Sequence, residues 1–169
     1  THNPTDPEDL ELNSTARSRL AYDELLANQL ALSLTRNHLK EQSGRTTLGN
    51  GALIKKAYKN IPYILTNSQE NAVKQISKDM SSSNRMHRLL QGDVGSGKTI
   101  VAFFSMLQAV ENGSQAVIMA PTEILARQHL ETIKPLALIL GINIQILTSR
   151  EKGKLRDQIL KELRIGTID

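Results

Sequence analysis

Residues 92–99, Gly-Asp-Val-Gly-Ser-Gly-Lys-Thr, have the types and spacing of a phosphate-binding loop. Its glycines allow backbone turns that other residues resist, and they let backbone N–H groups approach phosphate oxygens closely. A helix beginning near Lys98 would add the partial positive charge of its N-terminus. Lys98 is expected to reach the β and γ phosphates, and the Thr99 hydroxyl to ligate Mg²⁺. The loop therefore predicts nucleoside triphosphate binding, with Lys98 and Thr99 as the candidate catalytic residues.

The competing interpretation is a glycine-rich turn that happens to precede Lys-Thr. At average residue frequencies, on the order of 0.01 chance matches to this pattern are expected per chain of this length. The context also favours a binding loop, because RLLQGD before it reads as a strand and Thr99 to Asn112 reads as a helix. We therefore expect every loop position to contribute to the nucleotide site: Gly92, Asp93, Val94, Gly95, Ser96, Gly97, Lys98 and Thr99.

The composition is typical of one globular α/β domain. The chain has 169 residues, 39% of them apolar, and few aromatic residues, so Leu, Ile, Val and Ala must form the core. A net charge of +4 permits an anionic partner without requiring one. The absence of Cys rules out disulfides and thiolate metal sites and is compatible with the cytoplasm. No apolar run is long enough to span a membrane, and the start at Thr-His-Asn-Pro predicts that residue 1 is internal to a longer protein.

Two regions follow from the pattern along the chain. Residues 1–13 contain two prolines and acidic residues and predict an extended lead-in. Residues 14–60 predict a helical connector, because leucines recur at helical spacing from Ser14 and a second short helix fits Ala52 to Lys59. Between these helices, residues 43–51 contain three glycines and several hydroxyl side chains and predict a flexible link.

Residues 61–169 alternate apolar runs and helical patterns in the manner of βαβ units. We predict an α/β fold of the P-loop NTPase (RecA-like) type, with a partial parallel sheet preceded by a long helix. Pro135 is expected to kink or split the helix that contains it. The predicted strands are RLLQGD, 115–120, 142–147 and GTID at the end; the predicted helices are 99–112, 123–140 and 152–164.

Several segments resemble one helicase family. Leu65-Thr66-Asn67-Ser68-Gln69 resembles the Q motif of superfamily 2 helicases, and Ala120 to His129, APTEILARQH, resembles their motif Ia. The loop segment LLQGDVGSGKT, the later LTSREKGKLRDQILKELRIGTID and the connector RLAYDELLANQLAL are similar to the RecG family. The resemblance covers nearly the whole chain and is weakest over residues 40–60. It identifies residues 61–169 as the N-terminal, incomplete half of helicase motor domain 1.

The resemblance implies an ATP-dependent DNA helicase or translocase that remodels branched DNA in recombination and repair. It implies ATP and Mg²⁺ as cofactors, and branched or duplex DNA and the remaining helicase domains as partners. Gln69 would read the adenine edge; DNA would meet Thr122, Arg127, Gln128 and His129. Each has a simpler alternative: Gln69 as an exposed helix residue, Thr122 as an N-cap, and the other three as a solvated helix face.

Parts that the resemblance leads us to expect are missing. No Asp-Glu step follows Lys98, so the acidic box that would hold Mg²⁺ and polarise the attacking water is absent, as is a second motor domain with an arginine finger. The resemblance also places two strands between the loop strand and the motif Ia strand. Without them, the predicted strands would expose unpaired backbone groups and apolar side chains. We therefore expect these residues alone to be inactive in hydrolysis and not robustly folded.

Two other functions remain open at this stage. The chain could be a nucleotide-binding module or remnant without hydrolysis, because it lacks the metal-holding acid. A P-loop kinase acting on a small molecule is a third hypothesis, but that class has no use for the Gln69 motif or for APTEILARQH.

Overall fold

The computed structural model describes residues 7, 11, 14–41 and 43–169, without the side chains of 39–41. The chain divides into two compact units, Thr1–Ser43 and Gly44–Asp169. Most of the predicted lead-in, 1–13, lies outside the described residues. In the described part, no helix has the length and apolar character needed to cross a membrane.

The first unit contains one long helix, α1, at Thr15–Glu41, as the leucine spacing predicted. Its leucines from Leu20 to Leu34 are exposed, and Leu34 retains 70% of its accessible surface. An ion pair one helical turn apart joins Arg19 to Asp23 at 3.1 Å on its surface. Such exposed pairs stabilise a helix only slightly, so the backbone hydrogen bonds of α1 contribute most to its stability.

The second unit contains five helices among its described residues: α2 at Ala52–Asn60, α3 at Asn67–Met80, α4 at Lys98–Glu111, α5 at Glu123–Leu140 and α6 at Gly153–Ile165. Four of them, α2, α4, α5 and α6, were predicted to within a few residues, whereas α3 was not predicted and begins within the segment that resembles the Q motif. The helix α5 continues through Pro135, so the predicted split does not occur. Pro135 has no N–H, so the carbonyl four residues earlier has no hydrogen-bond donor in the helix. The free-energy cost of this lost hydrogen bond is smaller in a helix packed against neighbours than in an isolated one.

The core of this unit surrounds α4, which packs against α2, α3 and α5. Phe104 and Leu107 of α4 are each 1% exposed, and the Phe104 ring lies 4.6 Å from the Tyr58 ring of α2. Burying a side chain of this size contributes about 1.5 to 3 kcal/mol. The helix that begins at the predicted phosphate loop is therefore the best-buried element of the unit.

The predicted partial parallel sheet is wrong for the described residues, none of which is assigned to a strand. The segments predicted as strands run without regular structure because they have no backbone ladder between them. Side chains make most of the few contacts: the Gln115 amide donates to the Ile168 carbonyl at 2.7 Å, and Asn143 and Asp169 are joined by two hydrogen bonds. A strand is stabilised by backbone hydrogen bonds to a neighbouring strand, and the described residues supply no such neighbour for these segments.

A cavity of about 670 Å³ lies where the extended segments lack backbone pairing with one another. It lies between α4, α5 and the extended segments, and most of its lining is apolar, including Phe103, Leu107, Ile133, Ile144 and Ile159. On the extended segment 114–120, Val117 and Met119 are 83% and 89% exposed. This is the exposure of apolar side chains that the absence of central strands predicted.

Residues 44–51 have neither helix nor strand, but they are tied to the helices around them. The Gly44 amide donates to the Ser83 carbonyl and the Thr47 amide to the Met80 carbonyl, each at 2.8 Å. The buried Gln108 of α4 donates from its side-chain amide to the Thr47 carbonyl at 2.7 Å. The flexibility predicted for this link stays a prediction. The hydrogen bonds hold the backbone of the link in place at several residues.

Glu111, in the last turn of α4, caps the N-terminus of α2. Its carboxylate accepts from the Gly51 amide at 2.9 Å and from the Leu53 amide. The residue before α2, Gly51, has no side chain that could do this. The carboxylate therefore satisfies backbone donors that a helix start leaves free, and it joins the link to α4.

We expect Glu111→Ala to lower the free energy of unfolding by about 1 to 2 kcal/mol, because α2 loses its only carboxylate cap. Urea unfolding followed by circular dichroism measures this change. The matched control is Glu131→Ala, at an exposed position of α5. Equal stability of the two variants would contradict the capping role of Glu111.

Candidate nucleotide site

The predicted phosphate loop lies between an extended segment and α4, as the motif requires. Gly95 and Gly97 have φ angles of 78° and 81°, in the left-handed region where a side chain is strained. A turn is closed by the Ser96 amide, which donates to the Asp93 carbonyl at 3.2 Å. The two glycines therefore bend the backbone around a concave surface at the start of α4.

The start of α4 is left open for an anion. Its N-cap is Gly97, which offers no side-chain acceptor. The Ile100 and Val101 amides bond to the Gly97 carbonyl, but in the described part of the chain the amides of Gly95, Gly97, Lys98 and Thr99 have no acceptor. Free N–H groups at a helix N-terminus, with the positive end of the helix dipole, form a phosphate site.

The Lys98 ammonium lies across this loop. It donates to the carbonyls of Gly92 at 2.8 Å and Asp93 at 2.6 Å, and it lies 3.5 Å from the Ser96 hydroxyl. An ammonium has three N–H donors, and the two carbonyls use two of them. The third can serve a phosphate oxygen without releasing the loop, so Lys98 is held in position before any ligand binds.

Gln69 lies against the same loop. With Thr66 it forms a capping box at the start of α3, and its side-chain amide donates to the Ser96 carbonyl at 2.9 Å. A Cβ on Gly97 would lie 2.3 Å from that amide nitrogen, so a glycine at 97 is needed for this approach. The predicted adenine contact of Gln69 stays a prediction. Its contact with the loop was not foreseen, because nothing in the sequence indicates which way the side chain points.

Thr99, in the first turn of α4, has its hydroxyl 3.4 Å from Nδ1 of His129 on α5. The described residues contain no cluster of three or more acidic, His or Cys side chains that could hold a metal alone. Mg²⁺ bound to nucleotides takes most of its ligands from phosphates and water, so one protein hydroxyl at the phosphate cup fits that ion. The Mg²⁺ contact predicted for Thr99 stays a prediction.

The segment predicted to contact DNA begins α5. The Thr122 hydroxyl accepts from the Leu125 amide at 3.3 Å, which confirms its N-cap role. Thr122 and Gln128 are exposed, whereas Arg127 and His129 are half-buried. The four residues therefore do not form one exposed face, and their predicted contacts with DNA stay predictions.

Arg127 holds a loop rather than projecting into solvent. Its guanidinium donates to Glu123 at 3.3 Å, to the Thr148 hydroxyl at 3.2 Å and to Glu151 at 3.0 Å. Arg150 also pairs with Glu123, at 2.5 Å. This network joins the start of α5 to the turn before α6, and sequence reasoning missed it because its members come from separate elements.

Glu151 is the most strongly held carboxylate of this network. The Thr148 hydroxyl donates to it at 2.5 Å and the Thr148 amide at 2.7 Å. Together with Arg127, these donors stabilise the charged form and lower the pKa of Glu151 from its ordinary 4.5 to about 2. The pKa of Glu123 is lowered as well, first by the hydrogen bond from Ser149.

These shifts predict an acid-sensitive turn. Because the folded pKa of Glu151 is the lower one, its contribution to stability is present above the ordinary pKa and is lost as the pH falls towards 2. We expect wild type to be more stable than Glu151→Gln at neutral pH, and this difference to shrink from about pH 6 to about pH 3. Urea midpoints across that range measure it, with Glu131→Gln as the control. A difference that does not change with pH would contradict the ion-pair origin.

Comparison with known proteins agrees with this geometry. The family profile described as DEAD/DEAH box helicase matches residues 66–168. Over 165 residues the chain is 42% identical to the ATP-dependent DNA helicase RecG of Bacillus subtilis (strain 168), covering 96% of this chain and 24% of that protein. It is 39% identical over 170 residues to RecG of Aquifex aeolicus (strain VF5), covering 99% and 22%. The chain thus spans about a quarter of the length of these relatives.

A solved structure, RecG bound to a three-way DNA junction, matches with a TM-score of 0.76 and 38% identity. The match covers 88% of this chain and 20% of that one. This likeness supports a RecA-like P-loop fold, although the described residues are helical and extended without strands. Since the family profile covers more than half of the chain and contains both the phosphate loop and the start of α5, the chain belongs to the DEAD/DEAH box helicase family.

Proposed function

We propose that this chain binds Mg·ATP at residues 92–99 and forms the nucleotide-binding part of a RecG-type, ATP-dependent DNA helicase. One observation carries the proposal: four free amides, the held ammonium of Lys98 and the Thr99 hydroxyl surround one concave loop. Backbone amides and a lysine in this arrangement bind the β and γ phosphates. Bound Mg²⁺ would neutralise phosphate charge, and Thr99 would hold it.

Each residue of the loop has a part in binding. The amides of Gly95, Gly97, Lys98 and Thr99 bind phosphate oxygens, and the left-handed glycines let them point to one centre. Lys98 adds a full positive charge at the place where the triphosphate carries most negative charge. Gln69, held beside Ser96 by the capping box, lies at the edge of the loop, where the base of the nucleotide would be read.

We also propose that DNA is the polymer on which this chain acts. RecG in the related structure is bound to a three-way DNA junction. In this chain Thr122 and Gln128 are open to a backbone phosphate, as is Arg150, whose side chain is 70% exposed. Arg127 would act through the network that places Arg150. The rest of the helicase domains would be further partners.

A second candidate function is nucleotide binding without hydrolysis. These 169 residues contain no Asp-Glu step after Lys98, and the described part has no acidic cluster for a metal. Polarising the attacking water would need such a group. We therefore expect the chain assayed by itself to bind Mg·ATP with little or no turnover.

Lys98→Ala is expected to abolish Mg·ATP binding, because the amides alone cannot balance the charge of the β and γ phosphates. Isothermal titration calorimetry measures the affinity. The matched control is Lys134→Ala at an exposed position of α5, which removes the same charge away from the loop. Unchanged affinity in Lys98→Ala would contradict the assignment of the loop.

Turnover is tested by phosphate release with and without branched duplex DNA. For this chain we expect no release above the background of Lys98→Ala in either condition, because the metal-holding acid is absent. Release that rises with DNA would instead show that these residues suffice for hydrolysis. That result would rule out the binding-only function.

A further inference from the structure

We propose that His129 is a positioning residue for the cation site: its Nδ1 accepts a hydrogen bond from the Thr99 hydroxyl, which leaves a lone pair of that oxygen free for Mg²⁺. This inference rests on the proposed function. It departs from the predicted contact of His129 with DNA. The contact that carries it joins Thr99 Oγ1 on α4 to His129 Nδ1 on α5, at 3.4 Å.

Hydroxyl side chains inside helices normally donate to the carbonyl four residues earlier. Thr35, Ser105 and Thr132 all do so in this structure, at 2.8 to 3.0 Å. Thr99 does not, because it is the second residue of α4 and the residue four places earlier, Gly95, belongs to the loop turn. Among the described residues, the side chain within hydrogen-bond reach of the Thr99 hydroxyl is His129 on α5.

The chemistry of the hydroxyl makes this acceptor useful. A threonine hydroxyl has one proton and two lone pairs, and its proton rotates to suit its surroundings. A lone pair can face a cation only when the proton points away from it. A neutral imidazole with its proton on Nε2 presents Nδ1 as an acceptor, which fixes the proton on the side of α5. Contacts of this kind are commonly long before the ligand is bound and shorten afterwards.

The position of His129 suits this role better than a contact with a polymer. It is half-buried between α4 and α5 and lines the apolar cavity, whereas its neighbour Gln128 is exposed. No other hydrogen bond or ion pair of His129 occurs within the described residues. Since Thr122 begins the same helix, His129 also connects the cation site to the helix that we propose faces DNA.

The experiment compares ADP affinity with Mg²⁺ and with EDTA, by calorimetry on the full chain. Asparagine and glutamine at 129 form a matched pair, because the asparagine amide oxygen overlays Nδ1 whereas that of glutamine overlays Nε2. We expect His129→Asn to keep the gain in affinity that Mg²⁺ gives wild type. In His129→Gln and His129→Ala, the factor by which Mg²⁺ raises ADP affinity should be about three- to tenfold smaller than in wild type. Their affinity in EDTA should be unchanged. Glu131→Ala, two residues away at an exposed position of α5, should match wild type.

Three results would overturn the inference. The Mg²⁺ gain could persist in His129→Gln, the affinity could fall equally with Mg²⁺ and with EDTA, or Asn and Gln could behave alike. The second result would mark His129 as a structural contact only. If wild type binds ADP with a Mg²⁺ gain in any of these cases, the proposed function stands and only the role of His129 falls. If wild type binds no nucleotide, both fall.

Discussion

The nucleotide site depends on the unpaired backbone donors at the start of α4. A helix start leaves N–H groups without partners, and most helices cover them with an N-cap side chain, as Thr66 and Thr122 do in this chain. At Gly97 that cap is missing, and the loop before it turns through two glycines with left-handed φ angles. These residues are exposed or half-buried, so a bound anion would replace water with charge-assisted hydrogen bonds from several amides at once.

The helix that begins at this site also organises the rest of its unit. Its middle is buried against three other helices, and its last turn holds residues 44–53 through Gln108 and Glu111. At 1.5 Å per residue, its 14 residues span about 21 Å. The phosphate loop therefore lies at one end of this buried helix, and the residues that hold segment 44–53 lie at its other end. His129 contacts the helix near the loop and so joins α5 to that end.

Sequence patterns predicted the structure correctly where the interactions that determine it are local. The helices follow from the spacing of apolar residues, and the loop follows from glycines at fixed offsets. Strands are different, because a strand exists only when a second strand pairs with it. Residues 115–120 have the composition of a buried strand but find no pairing strand in the described part of the chain. The contacts of Arg127 with Glu151 and of Gln69 with the Ser96 carbonyl could not be predicted either, since each joins residues 24 or more positions apart.

The most direct test follows the backbone amides of the loop by ¹H–¹⁵N NMR during titration with Mg·ATP. If the free donors of Gly95, Gly97, Lys98 and Thr99 bind the phosphates, these four amide resonances should shift most and should saturate together. The amides of Ile100 and Val101, already bonded to the Gly97 carbonyl, should shift less. Saturable shifts confined to other parts of the chain, with these four unchanged, would contradict the assignment of the phosphate site.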